Sequence, residues 1–260
     1  MLLYEFDPAK TAVLNPYDLN PPIEGFPECC AATFSSRITE SFAQKTGAKQ
    51  IAALHPAFGD IPIYEIVHRG HRVAFYTVMP GAPACVNSLE DAASLGARNV
   101  VFFGSCGVLD RELAAGKIIV PDAALREDGT SFQYCPPSDE IALDPDAVAA
   151  VKTVMARRGV SYVTGKTWTT DGFYRETPDK VRRRREAGAV CVEMECAALT
   201  AVSQFRGLRF AEFFYAADLL DGSRWDARDL REHGVSGADI YMNLALDCAL
   251  ALAGLLEEHP

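Results

Sequence analysis

The chain has 260 residues, 49% hydrophobic and 23% charged, a globular composition that excludes a disordered or collagen-like polymer. Lys and Arg number 25 against 35 Asp and Glu, a formal net charge of −10 that repels phosphate backbones and argues against nucleic-acid binding. The length suits one large domain, expected over residues 1–260.

The opening Met1 to Asp7 has neither a basic n-region nor a long apolar h-region, so no secretory signal is read there. A Pro-rich stretch from Asn15 to Pro27 predicts an irregular lead-in over residues 1–30. Strand and helix signals then alternate. Val73–Val78 is a strand, Asn87–Leu95 a helix closed by Gly96, and Asn99–Phe103 a buried strand stopping at Gly104. Ile118–Val120 is a strand ended by Pro121. Asp144-Pro145 opens a helix through Arg158, Val160–Trp168 is a strand, and Thr177-Pro178 starts another helix. Val190–Val192 is a strand, Cys196–Phe205 a helix, Phe210–Ala216 a strand, and Gly237–Glu257 the closing helix.

This alternation predicts an α/β fold: a central mixed, largely parallel twisted sheet flanked by helices, with ligands bound beyond the strand ends. The most apolar tract, Leu244–Leu256, is interrupted by Asp247 and too short for a bilayer, so it predicts a buried helix and no membrane association. Eight cysteines without a C-x-x-C pair predict reduced, mostly buried thiols in a cytoplasmic protein. The five histidines form no ligand pattern, so no metal is expected.

Four segments carry chemistry. Gly104-Ser105-Cys106-Gly107 follows a buried strand, and is read either as a tight turn or as a cradle of backbone N–H groups for phosphate or ribose. In Val192-Glu193-Met194-Glu195 two acids at a helix start either favour the helix dipole or bind a polyol such as a ribose diol. Asp218 follows an apolar strand, as a general acid with a raised pKa or as a helix cap. Phe173 and Tyr174 beside a turn either stack on a planar base or plug the core. The run Arg182–Arg185 reads as a solvated helix face.

In this order these residues resemble the nucleoside phosphorylase family, which includes purine nucleoside phosphorylase, uridine phosphorylase and related nucleosidases. The resemblance covers about Arg72 to Ala253, and Arg126 to Ser131 looks like the uridine phosphorylase branch. It implies that Glu195 binds the ribose hydroxyls, Met194 packs on the sugar, Glu193 supports their loop and Phe173 faces the base. Ser105 and the amides of Gly104 and Gly107 would hold phosphate or sugar. Asp218 would donate a proton toward purine N7, assisted by Arg231, with Arg224 and Arg228 as competitors.

Phe102 stands where phosphorolytic members carry arginine, and their N-terminal Gly-Asp-Pro-x-Arg is missing. Arg37, Arg98 or Arg175 is a substitute. The implied activity is a pentosyltransferase: phosphorolysis of a nucleoside, purine preferred, to free base and ribose 1-phosphate. Phosphate is the co-substrate, no cofactor is needed, and the assembly is a homo-oligomer, dimer or hexamer. Uridine phosphorolysis, hydrolysis by water, and a catalytically silent nucleoside sensor are the alternatives.

Overall fold

The computed structural model describes residues 2–57, 59–114, 117–220, 225–228 and 230–256. The opening contains only single turns, Leu2–Tyr4 and α1 (Pro16–Leu19), where Asp18 accepts the Asn15 backbone N–H at 2.8 Å. The first strand starts at Cys29, two residues inside the predicted lead-in.

From there the chain runs β1 (Cys29–Thr33), α2 (Ser36–Thr46), β2 (Lys49–Leu54), β3 (Ile61–His68), β4 (His71–Thr77), α3 (Ala82–Leu95) and β5 (Asn99–Val108). It continues through α4 (Arg111–Ala114), β6 (Ile118–Glu127), α5 (Ser131–Tyr134), β7 (Glu140–Ala142), α6 (Pro145–Arg157) and β8 (Tyr162–Thr170). The last part is α7 (Pro178–Glu186), β9 (Ala189–Glu193), α8 (Cys196–Arg206), β10 (Arg209–Leu219) and α9 (Ala238–Leu252). Single 3₁₀ turns lie at Phe173–Arg175, Leu230–Glu232 and Val235–Gly237.

The sheet order is β10-β6-β8-β9-β5-β1-β4-β3-β2, and β10 returns to pair with β5. Strands β5, β9, β8, β6 and β10 therefore close a ring, from which β1, β4, β3 and β2 extend as an open sheet. Parallel pairing runs through β4-β1-β5-β10 and β6-β8-β9, whereas β2-β3-β4, β5–β9 and β6–β10 are antiparallel.

Local signals explain several boundaries. Asp144 caps α6 by accepting the Asp146 N–H, and Thr177 caps α7 by accepting that of Lys180, each followed by Pro at the first turn. Three strands outrun their predicted ends by three residues or more. β6 passes Pro121, which stays in register opposite Gly165, and a register shift then leaves Asp122 as the extra residue before Ala123. β5 continues through Gly104 to Val108, and β10 reaches Leu219.

Two apolar cores cover the two faces of the sheet, and Cys29 and Cys30, adjacent on β1, point into different ones. All eight cysteines are free, and only Cys135 is not fully buried. Helix α9 packs against β1, β4, β5, α2 and α6. Its Asp247 is buried yet satisfied: one oxygen meets His68 Nε2 at 2.7 Å and Arg69 Nε at 2.6 Å, the other meets Arg158 Nε at 2.6 Å. Burial alone would raise this carboxyl, but the His68, Arg69 and Arg158 donors outweigh it and hold it well below the usual carboxylate range. A charge in the apolar tract is tolerated because three side chains neutralise it.

Candidate active site

The site is organised by one edge of β5. β1 pairs with that edge as far as Thr33↔Phe103, and β9 joins it at Gly107↔Val192. Between these registers, residues 104–106 pair only with β10 on the opposite edge. Backbone groups alternate along a strand. The Val108 carbonyl accepts from Leu220 on the β10 side, and the Leu109 N–H donates to Val190 on the β9 side. Even-numbered residues of β5 therefore face β10 and odd-numbered ones face β1 or β9. Ser105 alone turns its N–H and C=O into the gap, and continuing the β9 register sets it opposite Met194.

This corrects the expected phosphate loop. The run 104–107 lies inside a strand, and the Gly104 and Gly107 amides are taken up by β10 and β9. Both glycines are required for close packing instead. A Cβ on Gly104 would lie 2.6 Å from Phe34 Cδ2, and one on Gly107 would lie 2.3 Å from Leu220 Cδ1. Ser105, opposite Tyr215 in the β10 register, keeps its candidacy through its own amide and its half-buried hydroxyl.

Glu193 and Glu195 have separate tasks. Glu193 Oε1 accepts Thr169 Oγ1 at 2.6 Å and Thr167 Oγ1 at 3.1 Å; Oε2 accepts the N–H groups of Glu195 at 2.6 Å and Cys196 at 2.7 Å. Four donors saturate it, and two of them are orphan N–H groups at the start of α8, so it is a brace. Glu195 turns to the start of α3, where Oε1 accepts the Gly81 N–H, while Oε2 accepts that of Met194 at 3.2 Å. Burial first, then the neighbouring Glu193 charge, push its carboxyl up to about 8. It is the carboxylate with acceptor capacity left for a ligand hydroxyl, and Met194 beside it is half-buried.

Asp218 lies within β10, opposite Gly107 and just after a register shift from Ala216. A Cβ on Gly107 would be 3.3 Å from its Oδ1, and its Oδ2 accepts Trp225 Nε1 at 2.7 Å. Burial raises its carboxyl, against the Trp225 hydrogen bond and the Arg228 charge. The predicted assistant, Arg231, is exposed in the turn Leu230–Glu232, and among the described residues the cation acting on Asp218 is Arg228. Leu219 and Asp226 form an antiparallel bridge, so spacing from Asp218 does not measure distance to it. Arg224 lies outside the described residues.

The remaining sequence candidates divide. Phe173 is 50% exposed and packs against Tyr174 at a 4.0 Å centroid distance, so these rings do not plug the core. Arg98 lies before β5, away from the gap, and donates to the Ala93 and Ala97 carbonyls. Arg175 is exposed beside Phe173, and Arg37 is exposed in the first turn of α2, just past the end of β1. Arg184 departs from the solvated-face reading: it pairs with Glu127 and lies 5.6 Å from the Trp168 ring. Arg126 and Asp128 tie their own turn together through Ser131.

A model of the phosphorylase superfamily matches residues 34–244. The chain belongs to that superfamily. Guanosine phosphorylase of Halorubrum lacusprofundi is 26% identical over 149 residues, covering 56% of this chain and 62% of its own. Uridine phosphorylase of Thermococcus kodakarensis is 27% identical over 158 residues, covering 55% and 56%. The match thus spans under two-thirds of the length of these curated relatives. The purine nucleoside phosphorylase of Toxoplasma gondii, solved with immucillin-H, shares the fold at a TM-score of 0.73 and 20% identity, over 91% of this chain and 94% of that one.

Three site features of this superfamily member were missed in the sequence. Phe34 lies over Gly104 and packs on Phe102 at 6.2 Å. Trp225 contacts Asp218, with nothing around it in sequence to mark it. Glu176, three residues after Phe173, is pushed up to about 7 by burial and by the Asp218 and Glu127 charges. Its signal was an acid beside an aromatic pair, legible only in hindsight.

Proposed function

We propose that this protein is a nucleoside phosphorylase that cleaves the N-glycosidic bond of purine nucleosides with inorganic phosphate, yielding free base and ribose 1-phosphate. The observation that carries this reading is a pair of buried carboxyls with different surroundings: Glu195, just past the end of β9, and Asp218, opposite Gly107 of β5. Glu195 accepts the ribose hydroxyls. The bond breaks through the oxocarbenium-like transition state expected of glycosidic cleavage. Asp218, held toward its protonated form by burial, donates to N7 of the departing purine. Uracil would leave as an anion, beside which a carboxyl is a poor neighbour. Phe173 offers a ring face to the base, Met194 packs on the sugar, and the Ser105 amide and hydroxyl hold the nucleophile, with Arg37 just past the end of β1 as its cation. On this reading the enzyme is cytoplasmic, needs no cofactor beyond phosphate, and works as a homo-oligomer, dimer or hexamer.

One observation favours a second reading, with water as nucleophile. The Phe34 and Phe102 rings form an apolar wall at Gly104, where an arginine fork was expected, and charge-assisted bonds of that kind contribute about 1.5–3 kcal/mol each. The test is a panel of guanosine, inosine, adenosine and uridine, incubated with and without phosphate and resolved by chromatography. Purine release that requires phosphate supports phosphorolysis. Equal release without phosphate supports hydrolysis, and uridine cleaved ten times faster than the purines overturns the base assignment.

A further inference from the structure

Trp225 is 58% exposed, an unfavourable place for an indole unless something holds it. Two contacts do. Leu219 and Asp226 exchange backbone hydrogen bonds at 2.9 and 3.1 Å, which brings residue 225 back beside the end of β10. The indole N–H then donates to Asp218 Oδ2 at 2.7 Å. The two oxygens of Asp218 are thereby divided: Oδ2 belongs to Trp225, and Oδ1 is turned toward Gly107.

An indole N–H can only donate, so it prefers the ionised carboxylate to the acid. The other groups acting at Asp218 are Arg228 from the same segment, Glu176 from the turn before α7, and the buried Cys106 thiol of β5. Arg228 favours the charged form and Glu176 opposes it. Trp225 is the neighbour among these that makes a direct hydrogen bond to the carboxylate.

We propose that Trp225 is a positioning residue: it fixes the orientation of Asp218 and strengthens its hydrogen bond as the carboxylate loses its proton to the leaving base. This rests on the proposed reading of Asp218 as the acid. The contact lowers the proton affinity of the acid and supports the charge it carries after transfer. Substitution by phenylalanine keeps a ring and removes the donor.

The test uses Trp225→Phe beside wild type. In turnover of a purine nucleoside, kcat should fall at least threefold with KM changed less than twofold. The alkaline limb of kcat/KM should move to higher pH by at least about half a unit, since Asp218 now keeps its proton longer. A second readout needs no turnover. Trp168 and Trp225 are the two tryptophans, so the emission difference between wild type and Trp225→Phe isolates Trp225. That difference should titrate with pH in the ligand-free protein, and Asp218→Asn should flatten it. A pH-independent difference, or an unmoved alkaline limb, overturns the proposal. A clear titration in a protein that turns over no nucleoside overturns the functional reading, while leaving the Trp225–Asp218 coupling in place.

Discussion

Replacing Glu193 and Glu195 separately by alanine should divide stability from activity, although the two acids are one residue apart. Glu193→Ala removes the acceptor for four donors at once. The Thr167 and Thr169 hydroxyls can rotate toward other acceptors, but the N–H groups of Glu195 and Cys196 at the start of α8 cannot. Each buried donor left unpaired costs about 1–3 kcal/mol, and loss of the cap and side-chain volume adds to this, so we expect about 3–5 kcal/mol in all. Glu195→Ala frees only the Gly81 and Met194 N–H groups, both on half-buried residues that water can reach. It also removes a carboxyl whose ionisation the fold resists, since that group is pushed up to about 8 by burial and by Glu193. Those effects offset, and the stability change should stay within about 1 kcal/mol. Activity should respond in the opposite order: Glu195→Ala loses two hydrogen bonds to ribose, about 1–3 kcal/mol or some five- to a hundredfold in kcat/KM. Urea unfolding at pH 7.5, paired with turnover, reads both quantities. Glu193→Ala as stable as wild type, or Glu195→Ala within threefold of wild-type kcat/KM, refutes the division of labour.

Asp218→Asn should slow purine nucleosides by roughly a hundredfold, the scale of general acid catalysis, while a nitrophenyl riboside, whose leaving group needs no proton, is cleaved at near wild-type rate. Gly107→Ala would place a Cβ 2.3 Å from Leu220 Cδ1 and 3.3 Å from Asp218 Oδ1. It should cost about 1–3 kcal/mol by urea unfolding and lower kcat more than tenfold by displacing the acid. Glu176 has a folded pKa near 7, above its ordinary 4.5, so its contribution to stability is complete below 4.5 and is lost as pH rises through about 7. Glu176→Gln should leave the melting temperature unchanged near pH 4 and raise stability at pH 8 by about 1 kcal/mol after solvent screening, as calorimetry at the two pH values would show.

What could be read in the sequence was local. Asp144-Pro145 and Thr177-Pro178 announce helix starts because cap and first-turn chemistry lies within three residues, and both helices begin there. The acids of 192–195 and Asp218 were found because carboxylates at the ends of apolar strands need a reason. What failed depended on partners distant in the chain. Gly104 reads as a strand terminator, yet the strand continues because Phe34, seventy residues earlier, needs the space of a Cβ. Spacing alone leaves Glu193 and Glu195 equivalent; the resemblance separates them, and Thr167, Thr169 and Gly81 around them supply the physical reason. Arg231 came from the resemblance, by its place along the chain, and the Leu219↔Asp226 bridge brings Arg228 to bear on Asp218 instead. Strands β1, β2 and β3 and helix α2 were not named, although α2 buries Ile38, Thr39, Phe42 and Ala43 on one face, and Arg37, in its first turn, was named only as one of three substitutes.

The central claim is that a purine nucleoside is split by phosphate between Glu195 and Asp218. Phosphorus NMR of guanosine and inorganic phosphate, incubated with wild type and in parallel with Glu195→Ala, tests it most directly. The account predicts a sugar phosphate ester resonance growing with wild type, in step with free guanine, and absent with the variant. Guanine released without any new phosphorus resonance, or an equal ester signal from the variant, would contradict it.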